Sequence, residues 1–337
     1  MSTTSESVVF HVALLSVLLI CFLAFALPAR AYPLDWKREW PRTDFSQSAI
    51  DLSEIMSGGP PKDGIPAIDD PRFKMVDQIT DLGPQEPVIA LTLNGVAKAY
   101  PLRVLMWHEI ANDTIGGVPV IVTYCPLCNA SLAFNRRVNE RVLDFGVSGK
   151  LRHSDLIMYD RQTESWWQQF LGEAIVGKMT GVSLKRLPSR VIPFSEFRRA
   201  YPNGLVLIPP EPHARLYGEN PYVKYDGSAW PFLFRGDYDG PVSPLAYVVA
   251  VGPHAWPLDA IRKAGRIEHA RIVITWQEGM NSALDARRID QGRDLGYVIV
   301  QHQSRNGVHE DVPYDMTFAF VFKAFHPKGI IHFEERE

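Results

Sequence analysis

Cys125 and Cys128 are the residues of this chain best suited to chemistry: two thiols three positions apart, with Pro126 directly after the first. The spacing supports three uses. In a redox couple, one thiolate attacks a substrate disulfide and the other resolves the mixed disulfide, helped by a pKa below the ~8.5 of free cysteine. In a metal site, two thiolates hold one face of Zn²⁺ or Cu⁺ and take further ligands from elsewhere in the chain. In a plain disulfide, so short a loop constrains the unfolded chain little. The sequence has 3 cysteines in 337 residues, and the third, Cys21, lies in an N-terminal apolar segment.

His108, just before the cysteine strand, is the first candidate for a further metal ligand, and His153, Glu109 and Asp155 follow. His108-Glu109-Ile110-Ala111-Asn112 is not a zincin helix, because Asn112 stands where the second histidine is needed. A thioredoxin fold is disfavoured, because Ala130–Phe134 leads into a hairpin instead of a long helix. His153, Ser154 and Asp155 cannot act as a hydrolytic relay, since neighbours on a strand point to opposite faces, and Ser154 has no glycine-flanked elbow. Asp155, Asp160 and Arg161 read instead as polar anchors beside the thiols, with Trp107, Trp166 and Trp167 as walls. Asn129 after Cys128 excludes c-type haem attachment, and no phosphate-binding glycine loop or calcium loop occurs.

The β-branched run Val120-Ile121-Val122-Thr123 predicts the strand that delivers Cys125 to its turn. Further strands are expected over 87–93, 131–137 and 141–147, with others near 245–251, 270–276 and 295–301. The residues 135–141 read as a hairpin tip. Short helices are expected from Pro101 to Ile110, from Glu164 to Phe170 (capped by Thr163 and Glu164) and from Phe194 to Ala200, before Pro202. No βαβ rhythm appears. The expected class is β-rich α+β.

An ordered set of matches suggests two related halves. Pro87–Gly95 resembles Pro244–Gly252, Tyr100-Pro101-Leu102 resembles Trp256-Pro257-Leu258, and Val120–Tyr124 resembles Ile272–Trp276. The same offset carries Asn129, Leu132, Arg136 and Leu143 onto Asn281, Leu284, Arg288 and Leu295, and Tyr159-Asp160 resembles Tyr314-Asp315. Cys125 then faces Gln277 and Cys128 faces Met280, so only one half carries thiols. The expected organisation is a signal peptide over 1–31, an extended arm over 32–82, a thiol-bearing repeat over 83–208 and a thiol-free repeat over 209–337.

Val8–Leu27 is almost unbroken apolar sequence followed by Ala29-Arg30-Ala31, a secretory signal pattern. Export, into a periplasm, is therefore expected. About twenty apolar residues can also span a bilayer, so an uncleaved anchor over 8–27 is the alternative and the one route to a membrane. A net charge of −3 gives no basic field for nucleic acid.

Several motifs together resemble the bacterial domain-of-unknown-function family 3179. They are Ser57–Asp69, Ala99–Leu102, Trp107–Asp113, Tyr124–Cys128, Phe145–Gly149 and Ser154–Arg161. The resemblance implies an exported protein that keeps the thiol pair, with no assigned activity. The sequence thus points to a thiol-dependent redox or soft-metal (Zn or Cu) site at Cys125 and Cys128. The contrasting reading is a non-catalytic module that binds a ligand or partner, with the two cysteines as a structural disulfide.

Overall fold

The computed structural model describes residues 34–304 and 306–333. The signal-peptide segment 1–31, with Cys21, lies outside the described residues. The chain divides into two compact units, Met1–Pro41 and Arg42–Glu337. In the first, Leu34–Glu39 forms a short helix with Lys37 and Arg38 in its last turn, where the helix dipole favours positive charge. Among the described residues no helix is long and apolar enough to cross a membrane.

The second unit is a five-bladed β-propeller. In spatial order, blade I holds Arg190–Pro193, Pro87–Leu93, Val96–Pro101, Leu205–Leu207 and Phe73–Met75. Blade II holds Lys185–Arg186, Ala130–Asn135, Val118–Cys125 and Ile110–Ile115. Blade III holds Ile55–Ser57, Phe145–Arg152, Asp155–Asp160, Trp166–Gln168 and Glu173–Val176. Blade IV holds Asp315–Phe318, Tyr247–Val251, His254–Pro257 and Ile330–Ile331. Blade V holds Arg266–His269, Ile272–Gln277, Tyr297–Gln303 and His309–Asp311.

This architecture replaces the expected α+β fold of two duplicated halves. Helix makes up only 15% of the protein and trims the blades. The sequence likenesses reflect blades built alike. In blades I and IV an edge strand leads into a short helix, Phe194–Ala200 or Ala319–Phe325. Each helix is followed by a strand that pairs in parallel with the blade's third strand. The constant offset ends with Val118–Cys125 of blade II and Ile272–Gln277 of blade V. Cys125 pairs with Ala130 across the Pro126–Asn129 turn, whereas Gln277 pairs with Tyr297 across the long irregular crossing 278–296. Leu284 therefore lies in that crossing, while Leu132 lies in a strand. Tyr159-Asp160 belongs to blade III, and Asp315 opens the edge strand of blade IV.

Two helical expectations fail locally. The helix from Pro101 is one turn, Leu102–Leu105, because the chain reverses at Glu109 (φ +58°) to start the next strand. Glu164–Phe170 is not a helix. Trp166 and Trp167 are both fully buried in a strand, Trp166–Gln168, between Asp155–Asp160 and Glu173–Val176. Thr163 and Glu164 accordingly form a turn in which the Thr163 amide donates to Asp160.

Polar ties hold the blades together. Asn112 of blade II bonds to the Phe145 backbone of blade III in both directions. The Lys98 ammonium of blade I donates to both Asp113 oxygens of blade II at 3.0 and 2.7 Å, and Tyr100 donates to the same carboxylate at 2.5 Å. Within the segment read as an arm, Ile55–Ser57 and Phe73–Met75 supply edge strands to blades III and I. Gly149 (φ +73°) lets the Pro60 carbonyl approach where a Cβ would overlap it. Gly149→Ala therefore combines left-handed strain with a backbone clash and is expected to cost about 2 kcal/mol or more. A urea titration checks this; an unchanged midpoint would show that the segment can shift freely.

Candidate functional site

The thiol turn follows from its residues. The β-branched strand Val118–Cys125 runs into Pro126, whose fixed φ suits the first position of the short 3-10 turn Pro126–Cys128. Asn129 ends the turn in the left-handed region (φ 48°), which asparagine tolerates, and returns the chain to pair Cys125 with Ala130. Blade IV clamps this turn. Thr317 donates to the Cys128 carbonyl at 2.7 Å, and the Asn129 amide donates to the Met316 carbonyl at 3.1 Å.

Both cysteines are free thiols, 3.8 Å apart, and not a disulfide. Cys125 is 2% exposed and Cys128 and Asp155 are fully buried. Asp155 comes from blade III, entering its strand from a two-residue turn in which His153 and Ser154 have positive φ. One carboxylate oxygen, Oδ2, accepts from the Gln168 amide at 2.6 Å and from the Phe170 backbone N–H at 2.9 Å. The other, Oδ1, is buried and accepts from no N–H or O–H group; the donors left beside the carboxylate are the two thiols. The two sulfurs and one Asp155 oxygen lie within 4.8 Å of one another, a group that could hold a metal ion. The Cys125 thiol points its hydrogen toward the Ser154 carbonyl at 3.6 Å.

The electrostatics are those of buried acids crowded together. Burial pushes both thiols upward, Cys128 furthest, so at neutral pH they are protonated. Burial also pushes Asp155 up to about 7, despite hydrogen bonds that oppose it. Glu109 rises to about 8 through burial and then through repulsion by Asp155. The largest influences on these four groups are burial, one another and hydrogen-bond donors. A cation placed among them would relieve all four at once.

His108 and His153 were the histidines expected to complete a site, and neither belongs to the group of Cys125, Cys128 and Asp155. His108 is buried, with Nδ1 2.7 Å from the Pro66 carbonyl and Nε2 2.7 Å from the Tyr217 hydroxyl. His153 lies 3.3 Å from a Glu54 carboxylate oxygen and packs edge-on against Phe325. Of the other expected anchors, Asp160 accepts from the Trp167 indole, and Arg161 pairs with Asp63 and Asp69. The sequence did not point to Tyr225, which donates to the Leu127 carbonyl at 2.9 Å. It comes from the irregular crossing between Leu207 and Tyr247, as does Tyr217.

The raised carboxyls give a testable pH dependence. A folded pKa above the unfolded one means that the folded chain holds extra protons between the two values. Stability from Asp155 and Glu109 therefore falls as pH rises through about 7 and 8. His108 and His153 are depressed by burial and act the other way, but only below their ordinary value. Chelator-treated protein should thus lose melting temperature from pH 6.5 to 8.5, and less so in Asp155→Asn. Identical profiles for the two proteins would remove Asp155 from this account.

A β-propeller with buried, closely spaced thiols and an orphan carboxylate oxygen defines the class of protein. The family model DUF3179, described as a protein of unknown function, matches residues 62–329, and the chain belongs to that family. No curated protein and no solved structure matches it significantly.

Proposed function

We propose that this protein is a metal-binding propeller whose centre is Cys125, Cys128 and Asp155, with Zn²⁺ as the fitting ion. The observation that carries the reading is the unpartnered Asp155 Oδ1, buried beside two sulfurs 3.8 Å apart. Two thiolates about 2.3 Å from a tetrahedral ion stand roughly 3.8 Å apart, so little rearrangement is needed. A mixed thiolate and carboxylate set suits Zn²⁺ better than Cu⁺, which favours sulfur throughout. Binding replaces the thiol protons and offsets the crowding of acids.

Three protein ligands leave the fourth position open, the arrangement of a zinc ion that activates water or a substrate. Glu109, a carboxyl that exchanges its proton near neutral pH, is the group that would serve such a centre. Redox use of the thiols is less favoured. Forming a disulfide means closing 3.8 Å to about 2.05 Å, and buried, protonated thiols attack slowly. The reading includes export, supported by the apolar residues 8–27 and Ala29-Arg30-Ala31. A mature N-terminus at Tyr32 would check that part.

The test is metal binding read at the sulfurs. Co²⁺, standing in for Zn²⁺ on reduced protein, should give a thiolate-to-metal charge-transfer band that Cys125→Ser weakens and the double serine variant abolishes. The absence of such a band in wild-type protein would overturn the metal reading. Reversible oxidation of that pair would then favour the redox one.

A further inference from the structure

We infer a second metal site, made of His254, His269 and His332, for a divalent transition-metal ion of the Zn²⁺ or Cu²⁺ kind. The three histidines are far apart in sequence and converge from two blades. His254 opens the third strand of blade IV, and His269 ends the first strand of blade V. His332 follows the short strand Ile330–Ile331, and its backbone N–H donates to the Ala255 carbonyl at 2.8 Å. That parallel pairing sets His254 opposite Ile330 and so holds His332 alongside.

One nitrogen from each ring can be chosen so that all three lie within 4.8 Å of one another. His254 Nδ1 and His332 Nε2 are 3.0 Å apart, within hydrogen-bond distance. Imidazole nitrogens on a tetrahedral ion, each about 2.0–2.1 Å from it, stand roughly 3.3 Å apart, so the His254–His332 pair needs to open by only a few tenths of an ångström, and the His269 nitrogen, within 4.8 Å of both, turns to meet the ion. Binding requires that the ring donating in this contact move its N–H proton to its own other nitrogen, so that each neutral imidazole turns a lone pair to the ion. The His332 ring lies flat on the buried indole of Trp256, at 4.8 Å and 10°, which fixes its orientation. His254 and His269 hold it from the other sides, with ring centroids 5.2 and 4.9 Å away.

Clustering alone is not unusual for surface histidines. Here all three rings are partly buried, and among the described residues no carboxylate joins the group. Burial and the charges of the other two imidazoles lower the His332 pKa, keeping the ring neutral and able to ligate. His332 and Trp256 line a cavity of about 1350 Å³, open to solvent, from which water or a small anion can reach a fourth coordination position. Three neutral imidazoles with an open fourth position suit a borderline metal, unlike the thiols of blade II.

The test uses full-length Cys125→Ser/Cys128→Ser protein, in which the thiol centre is silent. Titration calorimetry with Zn²⁺ at pH 7.5 should show one bound ion per chain, with weaker binding in acid, where protons compete with metal for nitrogen ligands. Loss of an outer partner already costs about 10–100-fold in metal affinity, so His269→Gln should cost more than 100-fold. His309→Gln, an exposed histidine outside the trio, should cost nothing. Should the double serine variant fail to fold, Cu²⁺ loaded onto wild-type protein gives a second readout. Its spin-resonance spectrum should show imidazole nitrogens, reduced in number by His269→Gln. No bound Zn²⁺, or binding and nitrogen count unchanged by His269→Gln, would overturn the inference.

Discussion

Cys128→Ser protein is expected to lose Zn²⁺ binding at the thiol centre while keeping its fold. Serine offers a far weaker ligand than thiolate, and losing one of three ligands exceeds the about 10–100-fold penalty of an outer-shell change. The fold should survive because the Cys128 carbonyl, which the Thr317 hydroxyl grips, is unaffected by the substitution. With wild-type protein, Zn²⁺ at a hundred times its dissociation constant adds about 2.7 kcal/mol of stability, a rise of about 5 °C in melting temperature. Cys128→Ser should lose that rise. To isolate it, both proteins should carry His269→Gln, which silences the histidine trio. Melting curves at matched Zn²⁺ check this; equal rises in the two proteins would place the stabilising metal elsewhere.

Lys98→Met is expected to cost about 3–5 kcal/mol, the largest stability effect anticipated from one side chain. The ammonium is buried between blades I and II, donating to both Asp113 oxygens and to the Thr114 carbonyl at 3.1 Å, above the Phe73 ring. Methionine fills similar volume, so the loss reports a stranded carboxylate and not a cavity. Asp113 is then left with the Tyr100 hydroxyl as its remaining donor among these groups. Adding Asp113→Leu should recover much of it, because a buried pair replaced as a whole is often neutral. Urea denaturation of the three proteins measures these steps. A Lys98→Met midpoint equal to wild type would show that the blades do not depend on this tie.

The individual strands were legible because β-branched runs bounded by glycine and proline follow local physics. Val118–Cys125 and Pro87–Leu93 fall close to where the sequence places them. Their assembly was not legible. Ile55–Ser57 pairs with Phe145–Arg152, and Arg190–Pro193 with Pro87–Leu93, partners that no local pattern connects. Two blades with like strands therefore looked like two like halves. Glu164–Phe170 was misread because adjacent tryptophans give no clear period, and burial on both faces of a blade decided the matter.

At the site, the thiol spacing carried most of the signal. Asp155 and Glu109 were visible as acids near the motif in sequence. The unpartnered oxygen that ranks Asp155 above His108 depends on where Gln168 and Phe170 spend their hydrogen bonds. The histidine trio left no trace in the sequence, because its members come from three separated segments joined only by blade packing.

Zinc K-edge X-ray absorption on reduced, Zn²⁺-loaded His269→Gln protein, with the histidine trio disabled, reads the ligands of the thiol centre. Two sulfur ligands at about 2.3 Å and oxygen ligands at about 2.0–2.2 Å are expected. A zinc shell without sulfur, or protein that retains no zinc, would contradict the metal reading.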